Sequence, residues 1–85
     1  MNDAGRQRIL IVDDEEGILE TLGFTFEDEY EVLTASSARR GLELLDEKGP
    51  VAAAISDQRM PEMTGVDFLT QVYERHPSKI GRAHV

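Results

Sequence analysis

The stretch Ser56-Asp57-Gln58-Arg59-Met60-Pro61-Glu62-Met63-Thr64-Gly65 follows a short apolar run over 51–55 and precedes a segment with helical apolar periodicity. Asp57 therefore lies where a predicted strand ends and a loop begins. In open parallel sheets, ligands bind outside the carboxyl ends of the strands. A lone Asp at such a point is more often a helix cap than a reactive group. A second feature is therefore needed before function is favoured over capping.

A second acidic site follows another apolar run of strand length. The run over 9–12 is uninterrupted and is followed by Asp13-Asp14-Glu15-Glu16. Acidic residues also favour helix N-termini, which is the alternative interpretation. If the two strands are parallel neighbours, however, Asp13, Asp14 and Asp57 lie at the same edge of the sheet. Such carboxylates repel one another, and Mg²⁺, a hard cation with a preference for oxygen ligands, would relieve that repulsion.

The composition indicates one small acidic domain. The chain has 85 residues, a net charge of −8 and 31% charged residues, which argues against nucleic-acid binding through a basic surface. Nine of the 17 acidic residues lie between Asp13 and Glu31, where no Lys or Arg occurs. The chain contains no Cys, and it shows no secretory signal and no membrane-spanning run. We expect a cytoplasmic protein with no membrane partner.

Hydrophobic periodicity predicts alternating strands and helices. Strands are expected over 9–12, 30–35 and 51–55, and helices over 16–27, from Ser36 or Ser37 to about 48, and from a capping box of Thr64 and Asp67 to His76-Pro77. The predicted buried stripes are Ile18, Leu22 and Phe26 with Leu19; Ala38, Leu42 and Leu45; and Val66, Leu69 and Val72 or Tyr73. Right-handed crossovers then predict an α/β fold, a flavodoxin-like open parallel sheet of three β-α units with strand order 2-1-3.

The acidic residues and the loop after Asp57 match a known pattern. Asp13-Asp14 follow the first strand, and the spacing Asp-x-x-Met-Pro-x-Met-x-Gly begins at Asp57. From Arg8 to about Ser78, the chain resembles the receiver domain of bacterial two-component response regulators.

The resemblance implies a function and a set of site residues. Asp57 would accept a phosphoryl group from a sensor histidine kinase or a phosphotransfer protein. Asp14 and Asp57 would ligate Mg²⁺, Asp13 would hold a water molecule of the ion, and the backbone carbonyl of Arg59 would complete the protein ligands. The domain is not expected to be an enzyme.

The chain departs from the resembled family near its end. A complete receiver continues through a fourth strand that carries a Ser or Thr and a fifth that carries a Lys. Lys79 precedes the fourth strand, and Thr64 lies in the wrong loop to replace the hydroxyl. We therefore expect a truncated receiver over 8–79 that is impaired in phosphorylation, with the third strand exposed as a sheet edge prone to self-association.

The two ends of the chain are predicted to lie outside the domain. Residues 1–7 are polar and are expected to be flexible. Residues 80–85, Ile-Gly-Arg-Ala-His-Val, are what a common sequencing adapter encodes, and we expect a non-native tail there. The alternative is an ordinary disordered terminus.

Two other functions stay open at this point. One is a protein-interaction module that no longer takes phosphate, because the hydroxyl and the Lys are absent. The other is a Mg²⁺-dependent phosphatase of the haloacid dehalogenase type, which needs Asp-x-Asp after its first strand. The sequence after the first strand is Asp13-Asp14-Glu15, which disfavours the phosphatase.

Overall fold

A computed structural model describes residues 7–48, 50–75 and 80–84. The elements are β1 (Gln7–Val12), α1 (Glu16–Phe26), β2 (Tyr30–Ala35), α2 (Ala38–Lys48), β3 (Val51–Ser56), α3 (Gly65–Arg75) and β4 (Ile80–His84). The three predicted strands and three predicted helices are present, and their described bounds differ from the predicted ones by at most two residues. Gln7, which was expected to be flexible, is the first residue of β1. The predicted helix end at His76-Pro77 and the residues before Gln7 lie outside the described residues.

The strands form one open parallel sheet in the order β2-β1-β3-β4. β1 is central, as expected for an unbroken apolar strand that helices cover on both faces. The predicted order 2-1-3 is confirmed. In the register, Val12 pairs with Ala35 of β2 and with Ser56 of β3. The carboxyl ends of β1 and β3 therefore lie side by side, so Asp13 and Asp57, which follow them, lie at the same edge of the sheet.

The prediction that β3 is a sheet edge is wrong, because a fourth strand pairs with it. β4 pairs with β3 in parallel, with Val51 opposite Ile80 and Ala54 opposite Ala83. This pairing uses main-chain groups, which every residue but proline supplies in full, so it needs no strong strand propensity in the five residues. Self-association through an exposed β3 is therefore not expected for this chain. The origin of residues 80–85 is a separate question, and a non-native tail stays a prediction.

The sheet has an apolar layer on each face. Leu10, Val12 and Ala54 pack with the inner residues of α2 and α3. Ile9 and Ile11 face the other way and pack against Leu19 of α1. A sheet without further cover beyond β3 would leave apolar surface around Ile9, Ile11 and Ile55 partly exposed, but Ile9 and Ile11 are only 4% and 1% exposed, and Ile55 alone is half-buried. The partly buried residues around this second layer are Leu22, Phe26, Tyr30, Val32, Ala53 and Ile55.

The predicted helix stripes have different outcomes. Ala38, Leu42 and Leu45 of α2 are all buried, as expected. In α3 the buried residues are Phe68, Leu69 and Val72, whereas Val66 is 53% exposed, which contradicts its place in the predicted stripe. In α1 Leu19 is buried, but Ile18 is exposed.

Two of the predicted helix caps can be compared with the structure. Ser37 Oγ accepts a hydrogen bond from Arg40 N at 3.1 Å, which identifies the cap of α2. In α3, Thr64 Oγ1 accepts from Asp67 N at 3.0 Å, as the capping box predicts.

None of the helices in the described part of the chain is long and apolar enough to span a bilayer. Each has 11 residues, about half of what a membrane crossing needs.

Candidate functional site

Three carboxylates converge at the carboxyl ends of β1 and β3. Asp13, Asp14 and Asp57 each offer one oxygen, and these oxygens lie within 4.8 Å of one another. Asp13 is buried, Asp57 is half-buried and Asp14 is exposed. The cluster is therefore a crevice that is buried on the side of Asp13 and open to solvent on the side of Asp14.

The sheet itself fixes two of these residues. Asp13 N donates to the carbonyl of Ala35 at 3.1 Å, and Asp57 N donates to the carbonyl of Val12 at 2.9 Å. Both bonds continue the main-chain ladders one residue beyond the strands. The Cα atoms of Asp13 and Asp57 are thereby held by β2 and β1, and only their side chains have freedom to adjust.

Asp13 also shapes the start of α1. Its Oδ1 accepts a hydrogen bond from Glu15 N at 2.9 Å, a local turn of the kind that Asp side chains favour. Glu15 is the N-cap residue of α1 and Glu16 its first helical residue, in agreement with their expected assignment to the helix start. The second carboxylate oxygen of Asp13 takes no part in this turn.

The ion pairs of the described residues lie away from the cluster. Among residues 7–48 and 50–74, they join Arg8 to Glu31 and Arg40 to Glu43 and Glu47. None of them includes an Asp of the cluster. A buried carboxylate close to two others is costly unless positive charge compensates it. The donor set, three carboxylates with an open side for water and phosphate oxygens, suits Mg²⁺.

The loop after Asp57 is bonded to α3. The carbonyl of Gln58 accepts from Gly65 N at 3.0 Å, and the side-chain Oε1 of Gln58 accepts from Val66 N at 3.1 Å. Gly65 lies so close to this loop that an added Cβ would be 2.6 Å from the carbonyl oxygen of Asp57. A glycine is needed here because any side chain would collide with main chain that the sheet holds in place.

The same loop is bonded to α2. Glu62 Oε1 accepts a hydrogen bond from Ala38 N, the first residue of α2, at 3.2 Å. Met60 is buried in the core that the sheet forms with α2 and α3, and Ser56 Oγ lies 3.9 Å from its sulfur. The loop is therefore anchored by the buried side chain of Met60 and by hydrogen bonds to α2 and α3.

The structure brings together the three Asp residues that were singled out from the sequence. Their individual roles, and that of the carbonyl of Arg59, stay predictions. Sequence reasoning missed Gln58 and Glu62. Gln58 bonds to Val66, eight residues later, and Glu62 bonds to Ala38 of α2, 24 residues earlier, so neither contact forms a local sequence pattern. The only signal in the sequence was the spacing of the 57–65 motif, which marks the loop but not these contacts.

The fold and the acidic crevice define the class: a doubly wound α/β domain with a carboxylate cluster at its switch point. A family model described as response regulator receiver domain matches residues 9–81. The chain belongs to this family, the receiver domains of two-component response regulators.

Named relatives and solved structures agree with this assignment. The hydrogenase transcriptional regulatory protein HoxA of Cupriavidus necator is 46% identical over 69 residues, which cover 81% of this chain and 14% of that protein. A crystal structure of a response regulator receiver domain protein from Clostridium thermocellum has a TM-score of 0.77 at 38% identity, over 84% of this chain and 58% of that one. The chemotaxis protein CheY4 of Vibrio cholerae has a TM-score of 0.79 at 33% identity, over 88% of this chain and 65% of that one. The chain thus spans about one seventh of HoxA, and less than two thirds of either solved chain.

Proposed function

We propose that this chain accepts a phosphoryl group on Asp57 from the phosphohistidine of a sensor histidine kinase or of a phosphotransfer protein in the cytoplasm. Membership of the receiver family and the convergence of Asp13, Asp14 and Asp57 within 4.8 Å support the proposal. The convergence is the observation that carries it, because a lone Asp after a strand would have no partner for a metal-assisted transfer.

In the proposed reaction, a carboxylate oxygen of Asp57 forms a bond to phosphorus while the phosphorus–nitrogen bond of the phosphohistidine breaks. The imidazole nitrogen retains the electron pair of that bond and takes up a proton from solvent. The product is an acyl phosphate on Asp57, a known form of carboxylate nucleophilic catalysis. Asp57 meets the requirement for access, because it is only half-buried.

The proposal includes a Mg²⁺ ion, which when bound would offset the negative charge of the transferring phosphoryl group. Asp14 and Asp57 would ligate it directly, Asp13 would hold one of its waters, and the main-chain carbonyl of Arg59 would complete the set. The donor chemistry supports this assignment, since carboxylate and carbonyl oxygens are the ligands that Mg²⁺ prefers.

We also propose that this chain is impaired in phosphorylation. In the resembled family, the fourth strand carries a Ser or Thr that meets the phosphoryl oxygen. The residues of β4 are Ile80, Gly81, Arg82, Ala83 and His84, with neither of these hydroxyls. The hydroxyl of Thr64 caps α3, and Lys79 precedes β4.

Incubation with phosphoramidate and Mg²⁺ tests the function, with mass spectrometry of borohydride-trapped protein as the readout. The expected result is one label, on Asp57, and none in Asp57→Asn. Label on Asp13 or Asp14 would overturn the assignment of roles. A chain that takes no label would favour an interaction module, and continuous release of phosphate would favour a phosphatase.

A further inference from the structure

Gln58, the residue directly after Asp57, makes two hydrogen bonds to the start of α3. Its main-chain carbonyl accepts from Gly65 N at 3.0 Å, and its side-chain Oε1 accepts from Val66 N at 3.1 Å. The residue is exposed, so burial does not hold the side chain in this position, and the hydrogen bond from Val66 N does. It serves as a cap from outside the helix, seven and eight residues before the groups that it binds.

The next two N–H groups of the helix bond to Thr64. Asp67 N donates to Thr64 Oγ1 at 3.0 Å, and Phe68 N donates to the carbonyl of Thr64 at 2.9 Å. The first four N–H groups of a helix have no acceptor within it. In α3, Gln58 accepts from the N–H groups of Gly65 and Val66 and Thr64 Oγ1 accepts from that of Asp67, whereas the Phe68 bond is the first i→i−4 bond of the helix. Both residues therefore cap the start of α3, but only Gln58 is adjacent to Asp57, the proposed phosphoryl acceptor.

The main chain at Asp57 is held from several directions. Its N–H donates to the carbonyl of Val12 at 2.9 Å, and its own carbonyl accepts from Ser56 Oγ at 3.1 Å. On the far side lies α3, in contact through Gly65 and through the two bonds of Gln58. Removing the bond from Val66 to Gln58 would leave a single hydrogen bond between residue 58 and the helix.

We infer that Gln58 is a positioning residue for the acceptor Asp57. By accepting from Val66 N, it holds the 57–58 main chain against α3 and keeps the Asp57 carboxylate within reach of Asp13 and Asp14. The inference rests on the proposed function and extends it to a residue whose side chain bonds to a helix rather than joining the carboxylate cluster. Small displacements matter here, because phosphoryl transfer depends on placing the attacking oxygen in line.

Two matched variants separate positioning from helix capping. Gln58→Met keeps the length of the side chain but has no amide oxygen for Val66 N, and Thr64→Val removes the neighbouring cap on the same helix without a change at residue 58. Both are measured at conditions where the protein is folded. The rate of Asp57 labelling by phosphoramidate is expected to fall roughly tenfold in Gln58→Met and to stay within about threefold of the parent in Thr64→Val.

Either of two results would overturn the inference. One is a Gln58→Met rate within about threefold of the parent, well short of the loss that misplacement causes. The other is a Thr64→Val rate that falls as far as that of Gln58→Met, because the loss would then follow from a weakened α3.

Amide hydrogen exchange provides a readout that needs no phosphate. The N–H of Asp57 is protected by its bond to Val12, and exchange there is expected to be faster in Gln58→Met and unchanged in Thr64→Val, after correction for intrinsic rates. If the parent takes no label, the proposed function fails and this comparison alone decides the inference. Equal exchange at Asp57 in the two variants would refute the positioning role.

Discussion

Gly65, the first residue of α3, lies against the main-chain carbonyl of Asp57, so that a Cβ at residue 65 would be 2.6 Å from that oxygen and 3.1 Å from the carbonyl carbon. The obstruction is main chain, which cannot rotate away as a flexible side chain could. The start of α3 is thus packed directly against the main chain of Asp57.

The first prediction concerns this contact. Gly65→Ala is expected to lower the free energy of unfolding by about 1–3 kcal/mol, the usual cost of overpacking, because α3 or the 57–58 main chain must move. Chemical denaturation measures the change. A variant as stable as the parent would show that the loop can yield, and that the tight contact is not needed to hold Asp57.

The second prediction concerns Gly23, which provides the matched control for Gly65. Gly23 lies inside α1, and a Cβ there would meet nothing within 4 Å. Gly23→Ala is expected to raise the free energy of unfolding by about 0.5–1 kcal/mol, the difference in helix propensity. The same denaturation experiment measures it. A loss of stability would mean that residue 23 of α1 is not open to solvent on the side where the Cβ is added.

The third prediction concerns metal binding. Mg²⁺ is expected to bind weakly and to raise the melting temperature of the parent, because the ion relieves the repulsion in the carboxylate cluster. Asp14→Ala and Asp57→Ala should lose most of the affinity in a titration. Glu16→Ala removes an equal charge from the start of α1, outside the cluster, and should retain it. The crevice is not assembled as described if Asp57→Ala binds as tightly as the parent.

The fourth prediction concerns β4. A chain that stops after Lys79 would leave the main-chain groups of β3 unpaired along one side, as β4 now bonds to them over Val51 to Ile55. Such an edge promotes pairing between copies. The shortened chain is expected to melt at a lower temperature than the 85-residue chain and to self-associate more readily in sedimentation experiments. If the two chains melt and sediment identically, β4 does not protect the edge of β3.

The strand order and the carboxylate cluster could be predicted because both follow from local patterns. Two apolar runs of strand length, each ending next to an Asp, are visible in the sequence, and the crossover rule places their ends together. The existence of β4 could not be predicted in this way. Gly81 is a poor strand residue by propensity, and the pairing with β3 depends on main-chain groups that every sequence has.

The buried side of α3 shows a different difficulty. Apolar residues occur at 66, 68, 69, 72 and 73, so the helix has two apolar stripes that overlap at Leu69 and Val72. The stripe that includes Val66 and the one that includes Phe68 have similar helical spacing. Only the packing against the sheet selects the second, where Phe68 is fully buried. Periodicity locates a helix, but it does not fix its rotation when the apolar residues form an arc wider than a single stripe.

The anchoring of the 57–65 loop also constrains how its length can vary. Surface loops usually accept insertions, since a few extra residues add little to the entropy of closure. Here Gln58 and Glu62 bond to different helices, and Met60 between them is buried. One added residue would move at least one of these anchors out of register. Related sequences should therefore vary in length at the 27–29 turn before β2 and keep the number of residues between Asp57 and Gly65 constant.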